Sequence, residues 1–172
     1  MRTWIGLLLV GLLLVGCARK KEGIVTDERG EKIALGAITQ EQLLKEFPPF
    51  KKSYSAYSPD SAAVDSLRNW EQDVKVLIIL GTWCPDSRRE VGRFLRFLDE
   101  AKNPHIQVEL IGVDHSKRDA RGIAAKYNIE RVPTFIVLCG GQEVGRIVER
   151  PRETLERDFL KILKKISQLR AA

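Results

Sequence analysis

The residues best suited to covalent chemistry lie in the segment Gly81–Ser87, where Cys84 stands between Trp83 and Pro85. An apolar, β-rich run precedes this segment, and a proline at this point is typical of the first turn of a helix. A thiol at the amino end of a helix faces unpaired N–H groups and the positive end of the helix dipole. Both favour the thiolate, which is the nucleophilic form. The sequence therefore predicts a reactive Cys84, with Ser87 placed to donate a hydrogen bond to its sulfur. The alternative is an inert, buried cysteine.

The elements around this thiol alternate between strands and helices. The run Val74–Leu80 is almost continuously apolar, which favours a central strand covered on both faces. Strand–helix–strand spacing predicts a parallel pair, and Gly140-Gly141 predicts a late hairpin. The sequence thus predicts an α/β fold with a central mixed sheet and helices on both faces. Its expected helices are Gln40–Phe47, one after Ser58-Pro59, one from Pro85, Ala120–Tyr127 and one from Leu155 to Leu169; its expected strands are Val74–Leu80, Val108–Val113, Thr134–Leu138 and Glu143–Val148.

The amino-terminal segment has the pattern of an export signal. Arg2 precedes an apolar run that ends in Leu14-Val15-Gly16-Cys17, and this run is short for a spanning helix. The tetrapeptide resembles the bacterial lipobox, which implies that residues 1–16 are a lipoprotein signal peptide and that Cys17 carries the lipid. The alternative is a plain membrane anchor with an incidental cysteine. We expect a lipidated tether over 17–36, an N-terminal extension over 37–57 and the folded domain over 58–172.

Composition excludes several classes of protein. The chain has 172 residues, of which 44% are hydrophobic and 30% charged, so most of it has the composition of a globular domain. Its net charge of +6 contains no long basic run and favours solubility over nucleic-acid binding. Three cysteines and two histidines exclude a disulfide-stapled scaffold and a Cys/His zinc module. Because His105 and His115 lack the spacing of metal ligands, the sequence predicts loop or cap positions for them, no metal site and no cofactor.

Two separated motifs resemble the thioredoxin superfamily. The segment around Cys84 is similar to the Trp-Cys-x-x-Cys active site, with Ser87 in place of the second cysteine. The stretch Ala125–Phe135 is similar to the segment around the family's cis-proline. The resemblance covers roughly Ser58 to Leu169. It implies that Cys84 and Ser87 are the catalytic positions. It also implies a cis-proline and a substrate surface, formed by Trp83, Pro85, Val132, Pro133 and Thr134.

The departures from the family pattern restrict the mechanism. Ile78 stands where thioredoxins carry a buried acid, and Gly92 stands where their helix has a kink proline. A dithiol protein releases its mixed disulfide with its own second thiol, and Ser87 has none. Cys139 lies six residues beyond Pro133 on a predicted strand, which is about 20 Å further at ~3.3 Å per residue. That separation is too large for a disulfide.

The sequence therefore predicts a monothiol protein that exchanges protein or small-molecule disulfides and thiols through Cys84 and depends on an external thiol reductant. The expected location is the bacterial cell envelope. There the lipid would hold the protein on a membrane, facing the periplasm or the exterior, with the outer membrane as one option. The alternative is a thioredoxin-fold binding or assembly factor that uses the groove beside Pro133 without redox chemistry.

Overall fold

The computed structural model describes residues 22–171, so the predicted signal peptide and Cys17 lie outside the described residues. Six strands form one sheet in the order β1-β2-β4-β3-β5-β6. Only β3 and β4 run parallel, and the other neighbours are antiparallel. The elements are β1 Gly23–Thr26, β2 Lys32–Ile38, α1 Gln40–Glu46, α2 Pro48–Ala56, α3 Ser61–Arg68, β3 Val74–Leu80, α4 Pro85–Ala101, β4 Ile106–Gly112, α5 Ile123–Lys126, β5 Thr134–Cys139, β6 Gln142–Val148 and α6 Leu155–Ala171.

The central strand β3 separates two hydrophobic clusters, as the apolar run predicted. Successive side chains of a strand point to opposite faces. Val76, Ile78 and Leu80 join the larger cluster, which also contains residues of α1 to α4 and α6. Leu77 and Ile79 join the smaller cluster, which contains Ala124 of α5 and Cys84. The predicted mixed sheet with helices on both faces is confirmed.

The segment predicted as a tether contains two strands of this sheet, so an extended tether as far as Gly36 is wrong. The strand β2 pairs with β4, and its residues Ile33, Ala34 and Leu35 are buried. The approach is close: a Cβ on Gly112 of β4 would lie 2.3 Å from the Ala34 carbonyl oxygen. The polar residues around this short apolar run concealed the strand, because only its burial against β4 makes it favourable.

Three helices between β2 and β3 cover one face of the sheet, where the sequence predicted two. The helix α1 ends at Glu46, just before Pro48 and Pro49, and α2 begins at Pro48, since proline is accommodated in the first turn of a helix. The next helix, expected after Ser58-Pro59, is capped by Asp60, whose side chain accepts the N–H groups of Ala62 and Ala63.

The helix α4 is anchored in the larger hydrophobic cluster, and its first residue follows Cys84 directly. It is 17 residues long and buries Val91, Phe94, Leu95 and Phe97. The ring of Phe94 meets the rings of Phe135 and Phe159 at centroid distances of 5.1 Å in each case. These edge contacts pack α4 against β5 and α6 and so help to hold the helix in place on the sheet.

The remaining elements agree with the sequence apart from their ends. The strand β4 begins two residues earlier than predicted, and α5 is reduced to Ile123–Lys126. The β5–β6 hairpin and the C-terminal helix are confirmed. Within residues 22–171, no helix combines the length and the apolar character needed to cross a bilayer.

Candidate active site at the start of helix α4

Cys84 occupies the N-cap position of α4. Its N–H donates to the Gly81 carbonyl at 2.9 Å, and its own carbonyl accepts from the Arg88 N–H at 3.0 Å. Pro85 follows as the first helical residue and is exposed. The Cys84 side chain makes no capping hydrogen bond to the helix. The sulfur therefore lies at the positive end of a long helix, with the residue 8% exposed.

The segment before β5 brings a cis-proline to this sulfur. The Val132–Pro133 peptide bond is cis, as the resemblance implied. The Cys84 thiol donates to the Val132 carbonyl oxygen, with Sγ and oxygen 3.2 Å apart. Two motifs that are 48 residues apart in sequence thus meet in space.

Ser87 does not make the hydrogen bond to Cys84 that the sequence predicted. Its hydroxyl accepts the Gly81 N–H at 3.2 Å, and the residue is fully buried. Ser87 therefore fixes the turn between β3 and α4 and acts on Cys84 only through the backbone. Thr134 is similarly turned inward, because its hydroxyl donates to the Arg131 carbonyl at 2.7 Å.

Trp83 covers one side of the site and is itself held in place. Its Nε1–H donates to the Val113 carbonyl at 3.1 Å. The indole stacks on the His115 imidazole, with ring centroids 4.4 Å apart and an interplanar angle of 20°. Sequence reasoning placed His115 correctly in a loop but missed this contact. No local pattern could have shown it, because 32 positions separate the two residues.

The charged residues of the first turn neutralise one another. Asp86 lies 2.7 Å from Arg89 and 3.2 Å from Arg150, which reaches over from the segment after β6. Burial acts to raise the pKa of Asp86, but the hydrogen bonds from Arg150 and Arg89 outweigh it and hold the pKa below its ordinary value. Arg88 turns away and donates to the Thr82 carbonyl at 2.7 Å.

The second described cysteine lies on the other side of the sheet. Among residues 22–171, Cys84 and Cys139 are the free cysteines. Cys84 belongs to the smaller hydrophobic cluster, whereas Cys139 packs against the larger one at the end of β5. The strand between the two clusters keeps these thiols apart.

This arrangement of a thiol, a cis-proline and a mixed sheet has relatives among known proteins. The family model described as thioredoxin matches residues 40–161, well over half of the chain. The chain belongs to the thioredoxin family. The family match takes in both Cys84 and Pro133, and it begins after β2. The β1–β2 hairpin thus lies outside the matched thioredoxin region.

Two curated proteins are similar to parts of this chain. Protein disulfide-isomerase from Saccharomyces cerevisiae is 25% identical over an alignment of 150 residues, which covers 78% of this chain and 28% of the yeast protein. Thioredoxin H-type from Fagopyrum esculentum is 31% identical over 80 residues, which are 46% of this chain and 64% of that protein. This chain therefore spans less than two thirds of either relative.

One solved structure agrees with the fold over most of the chain. It is a protein of unknown function from Pseudomonas aeruginosa, 18% identical, with a TM-score of 0.53. The superposition covers 76% of this chain and 87% of that protein. At this identity the likeness shows a shared fold alone, and the chemistry has to be argued from the residues of the site.

Proposed function

We propose that this member of the thioredoxin family carries out thiol–disulfide exchange through Cys84 alone. The observation that carries the proposal is the position of the Cys84 sulfur. It lies at the N-cap of α4, 3.2 Å from the carbonyl oxygen of Val132, the residue before the cis-proline. A helix amino end favours the thiolate, and the adjoining backbone offers a surface for an extended substrate.

The proposed reaction begins when Cys84 loses its proton and its thiolate attacks one sulfur of a substrate disulfide. A bond forms between the Cys84 sulfur and that sulfur, the substrate S–S bond breaks, and the departing thiolate takes up a proton from water. A second thiolate, either of the same substrate or of an external thiol, then attacks the mixed disulfide and releases Cys84. The protein gains and loses no electrons over this cycle.

The monothiol form of the cycle is supported by what surrounds the sulfur. Ser87, at the position of a resolving thiol, carries a hydroxyl, and its hydrogen bond is to Gly81. Cys139 packs against the other hydrophobic cluster. Neither described residue can therefore release Cys84, and release by a thiol of the substrate or by an external thiol suits isomerisation or removal of a small thiol and does not suit an autonomous dithiol reductase.

The proposed substrate surface follows from exposure around the sulfur. Pro85 is exposed and Trp83 half-buried, so both offer apolar contact to an incoming chain. Val132, Pro133 and Thr134 are buried, and their contribution is through the backbone. A strand of substrate laid along the Val132 peptide would bring its disulfide to Cys84.

The proposed location rests on the amino-terminal sequence. The signal-like run and Cys17 favour an exported lipoprotein with its folded domain held near a membrane in the cell envelope. An oxidising compartment contains the disulfides on which a monothiol exchanger would act.

The first test treats the full chain with oxidised glutathione at neutral pH and measures the mass of the intact protein and of its peptides. We expect one glutathionyl group on Cys84, and Cys84→Ser should lose it. The matched control is Cys139→Ser, which removes the half-buried cysteine of the other cluster and should keep the adduct. If Cys84 remains unmodified under conditions in which oxidised glutathione modifies an accessible thiol, the result counts against the proposal.

The same chemistry separates exchange from simple binding. Because no neighbouring thiol resolves Cys84, the native protein should accumulate mixed disulfides with its partners under non-reducing conditions. Cys84→Ser should abolish both these conjugates and the cellular phenotype of the protein. A binding or assembly factor would keep its phenotype in the Cys84→Ser variant.

A further inference from the structure

Three side chains with metal-ligating atoms meet next to Trp83. The turn between β1 and β2 contributes Asp27 and Glu31, and the loop after β4 contributes His115. His115 Nε2 lies 3.3 Å from Asp27 Oδ2 and 3.3 Å from Glu31 Oε2. All three atoms lie within 4.8 Å of one another. This cluster is separate from the thiol chemistry of Cys84.

Two of these atoms are buried and lack hydrogen-bond partners. The Asp27 side chain is only 10% exposed. Its Oδ1 accepts the N–H groups of Arg29 at 2.9 Å and Glu31 at 2.8 Å, which fixes the carboxylate. Its Oδ2 and His115 Nε2 have no hydrogen-bond partner, although each faces the other. A buried polar atom without a hydrogen bond costs free energy, and an ion bound between these two atoms would give each of them a partner.

The distances agree with three ligands of one ion. Donor atoms bound about 2.1 Å from a metal, at angles between octahedral and tetrahedral, lie roughly 3.0–3.4 Å apart. The separations of 3.3 Å between the imidazole nitrogen and each carboxylate oxygen fall in that range. Both carboxylate oxygens already lie close to the same imidazole nitrogen. An ion could therefore bind after a small rotation of the exposed Glu31 side chain.

We propose that Asp27, Glu31 and His115 form a binding site for a divalent ion of the Zn²⁺ class. One imidazole and two carboxylates suit Zn²⁺, with a fourth position open to water, and they exclude ions that require sulfur. Glu31 is 55% exposed, so the ion can enter from solvent through the cleft lined by the β1–β2 turn and the loop at Asp114–Ser116.

One group competes with the ion: Arg29 Nη1 lies 3.3 Å from His115 Nδ1. The Arg29 guanidinium must swing into solvent when the ion binds, because a metal-bound imidazole carries its proton on Nδ1.

An ion at this site would join the β1–β2 hairpin to the loop that supports Trp83. His115 would bind the metal at its edge while its face stays stacked on the indole beside Cys84. The ion would thus order one wall of the thiol site without contacting the sulfur, and the stability of the protein should rise with ion concentration.

The test measures Zn²⁺ binding by titration calorimetry on the full chain with Cys17, Cys84 and Cys139 replaced by serine, which removes thiols that bind zinc on their own. We expect one site, and Asp27→Asn and His115→Gln should each weaken it at least roughly tenfold. Asparagine retains an Oδ1 acceptor for the two backbone N–H groups, so the turn should remain folded, which circular dichroism checks.

The matched control is the chain's other histidine–aspartate pair. His105 Nδ1 lies 2.8 Å from Asp73 Oδ1 on the surface, with the Asp73 side chain 89% exposed. His105→Gln and Asp73→Asn should leave the Zn²⁺ affinity unchanged. Absence of a site, an equal affinity in Asp27→Asn, or loss of binding in His105→Gln would each overturn the proposal.

A second readout uses Co²⁺ as a coloured substitute for Zn²⁺. Binding at His115 should give the visible absorption of a four-coordinate nitrogen and oxygen site and quench the emission of Trp83. Arg29→Gln removes the competing cation and should strengthen Co²⁺ binding several-fold. Weaker binding in Arg29→Gln, or quenching that survives His115→Gln, would contradict the assignment.

Discussion

At the scale of single residues, the chemistry depends on what surrounds the sulfur of Cys84. The thiol donates to the Val132 carbonyl. The Asp86 carboxylate nearby forms ion pairs with Arg89 and Arg150. Ser87 accepts the Gly81 N–H with its hydroxyl oxygen. Within residues 22–171, the proposed site thus contains one thiol, and the other described cysteine, Cys139, packs against the larger cluster.

The first residue-scale prediction concerns Ser87→Cys, which should form a disulfide with Cys84. Residues three apart at the start of a helix lie on the same face, within the roughly 7 Å between Cα atoms that a disulfide requires. Thiol titration of the oxidised variant should show the loss of two thiols, and the variant should gain dithiol reductase activity. Ser87→Ala is the control and should do neither. Two free thiols after oxidation would contradict the thioredoxin-like geometry.

A second residue-scale prediction concerns Asp86, whose folded-state pKa lies below its ordinary value of 3.8. A depressed carboxylate pKa adds stability that is present above the unfolded-state value and is lost as the pH falls through the folded-state value. The Asp86 side chain is 21% and that of Arg150 66% exposed, so solvent limits the effect to about 1 kcal/mol.

Asp86→Asn should therefore lower the free energy of unfolding by more at about pH 7 than near pH 3. Urea unfolding of both proteins at these two pH values measures this difference. A destabilisation of the same size at both values would mean that packing, and not the charge, is responsible.

At the scale of elements, two close contacts decide how the site is supported. The helix α2 approaches α4 at Gly92, where a Cβ would lie 2.7 Å from the Phe50 carbonyl oxygen and 3.0 Å from the Tyr54 nitrogen. In the turn before Cys84, the Thr82 hydroxyl accepts the Ala34 N–H of β2 at 3.1 Å. Gly92, which stands where thioredoxins have a kink proline, thus allows α2 to approach α4 closely. Thr82 connects the turn before Cys84 to β2 by its hydrogen bond.

The element-scale prediction is that Gly92→Ala destabilises the protein by about 1–3 kcal/mol, because the added methyl group forces α2 and α4 apart. In an exposed helix the same change stabilises by about 1 kcal/mol, so the sign of the effect tests the contact. Urea unfolding measures it. Ser66→Ala on the exposed face of α3 is the control and should stay within about 0.5 kcal/mol. A more stable Gly92→Ala would mean that the two helices are further apart.

At the scale of the whole molecule, the thioredoxin region carries an added hairpin. The β1–β2 hairpin extends the sheet at β4 and brings Asp27 and Glu31 to His115. Because β1 begins at Gly23, the proposed lipid on Cys17 would be joined to the folded domain by only a few residues. If Cys17 carries that lipid, we expect the folded domain to lie close to the membrane surface.

The whole-molecule prediction is that Cys17 carries the lipid. When the chain is produced in a bacterial host with labelled palmitate, the wild-type protein and Cys139→Ser should incorporate the label and sediment with membranes. Cys17→Ser should not incorporate it, because the acylated sulfur is absent. Label that persists in Cys17→Ser would show that another residue is modified, and a membrane-bound wild-type protein without label would show that the apolar run before Cys17 is an ordinary anchor.

The sequence by itself determined the strand–thiol–helix unit, the cis-proline segment and the mixed sheet. The strand–thiol–helix unit and the mixed sheet follow from local features: a continuous apolar run, a proline after the thiol, and hairpin glycines in order along the chain. The cis-proline was implied by the resemblance of Ala125–Phe135 to the corresponding segment of the thioredoxin superfamily. The sequence also determined that Ser87 offers no second thiol. These conclusions needed no knowledge of which residues meet in space.

The tertiary structure alone decided the rest. The β1–β2 hairpin was hidden because a short, interrupted apolar run becomes a strand only when β4 buries it. Ser87 pairs with Gly81 across the turn from β3 to α4, a choice of partner that only the geometry of that turn decides. His115 meets Trp83, Asp27 and Glu31 because the order of the strands in the sheet sets these contacts. Side-chain partners that are far apart in sequence leave no local pattern, since their separation along the chain carries no information about their separation in the fold.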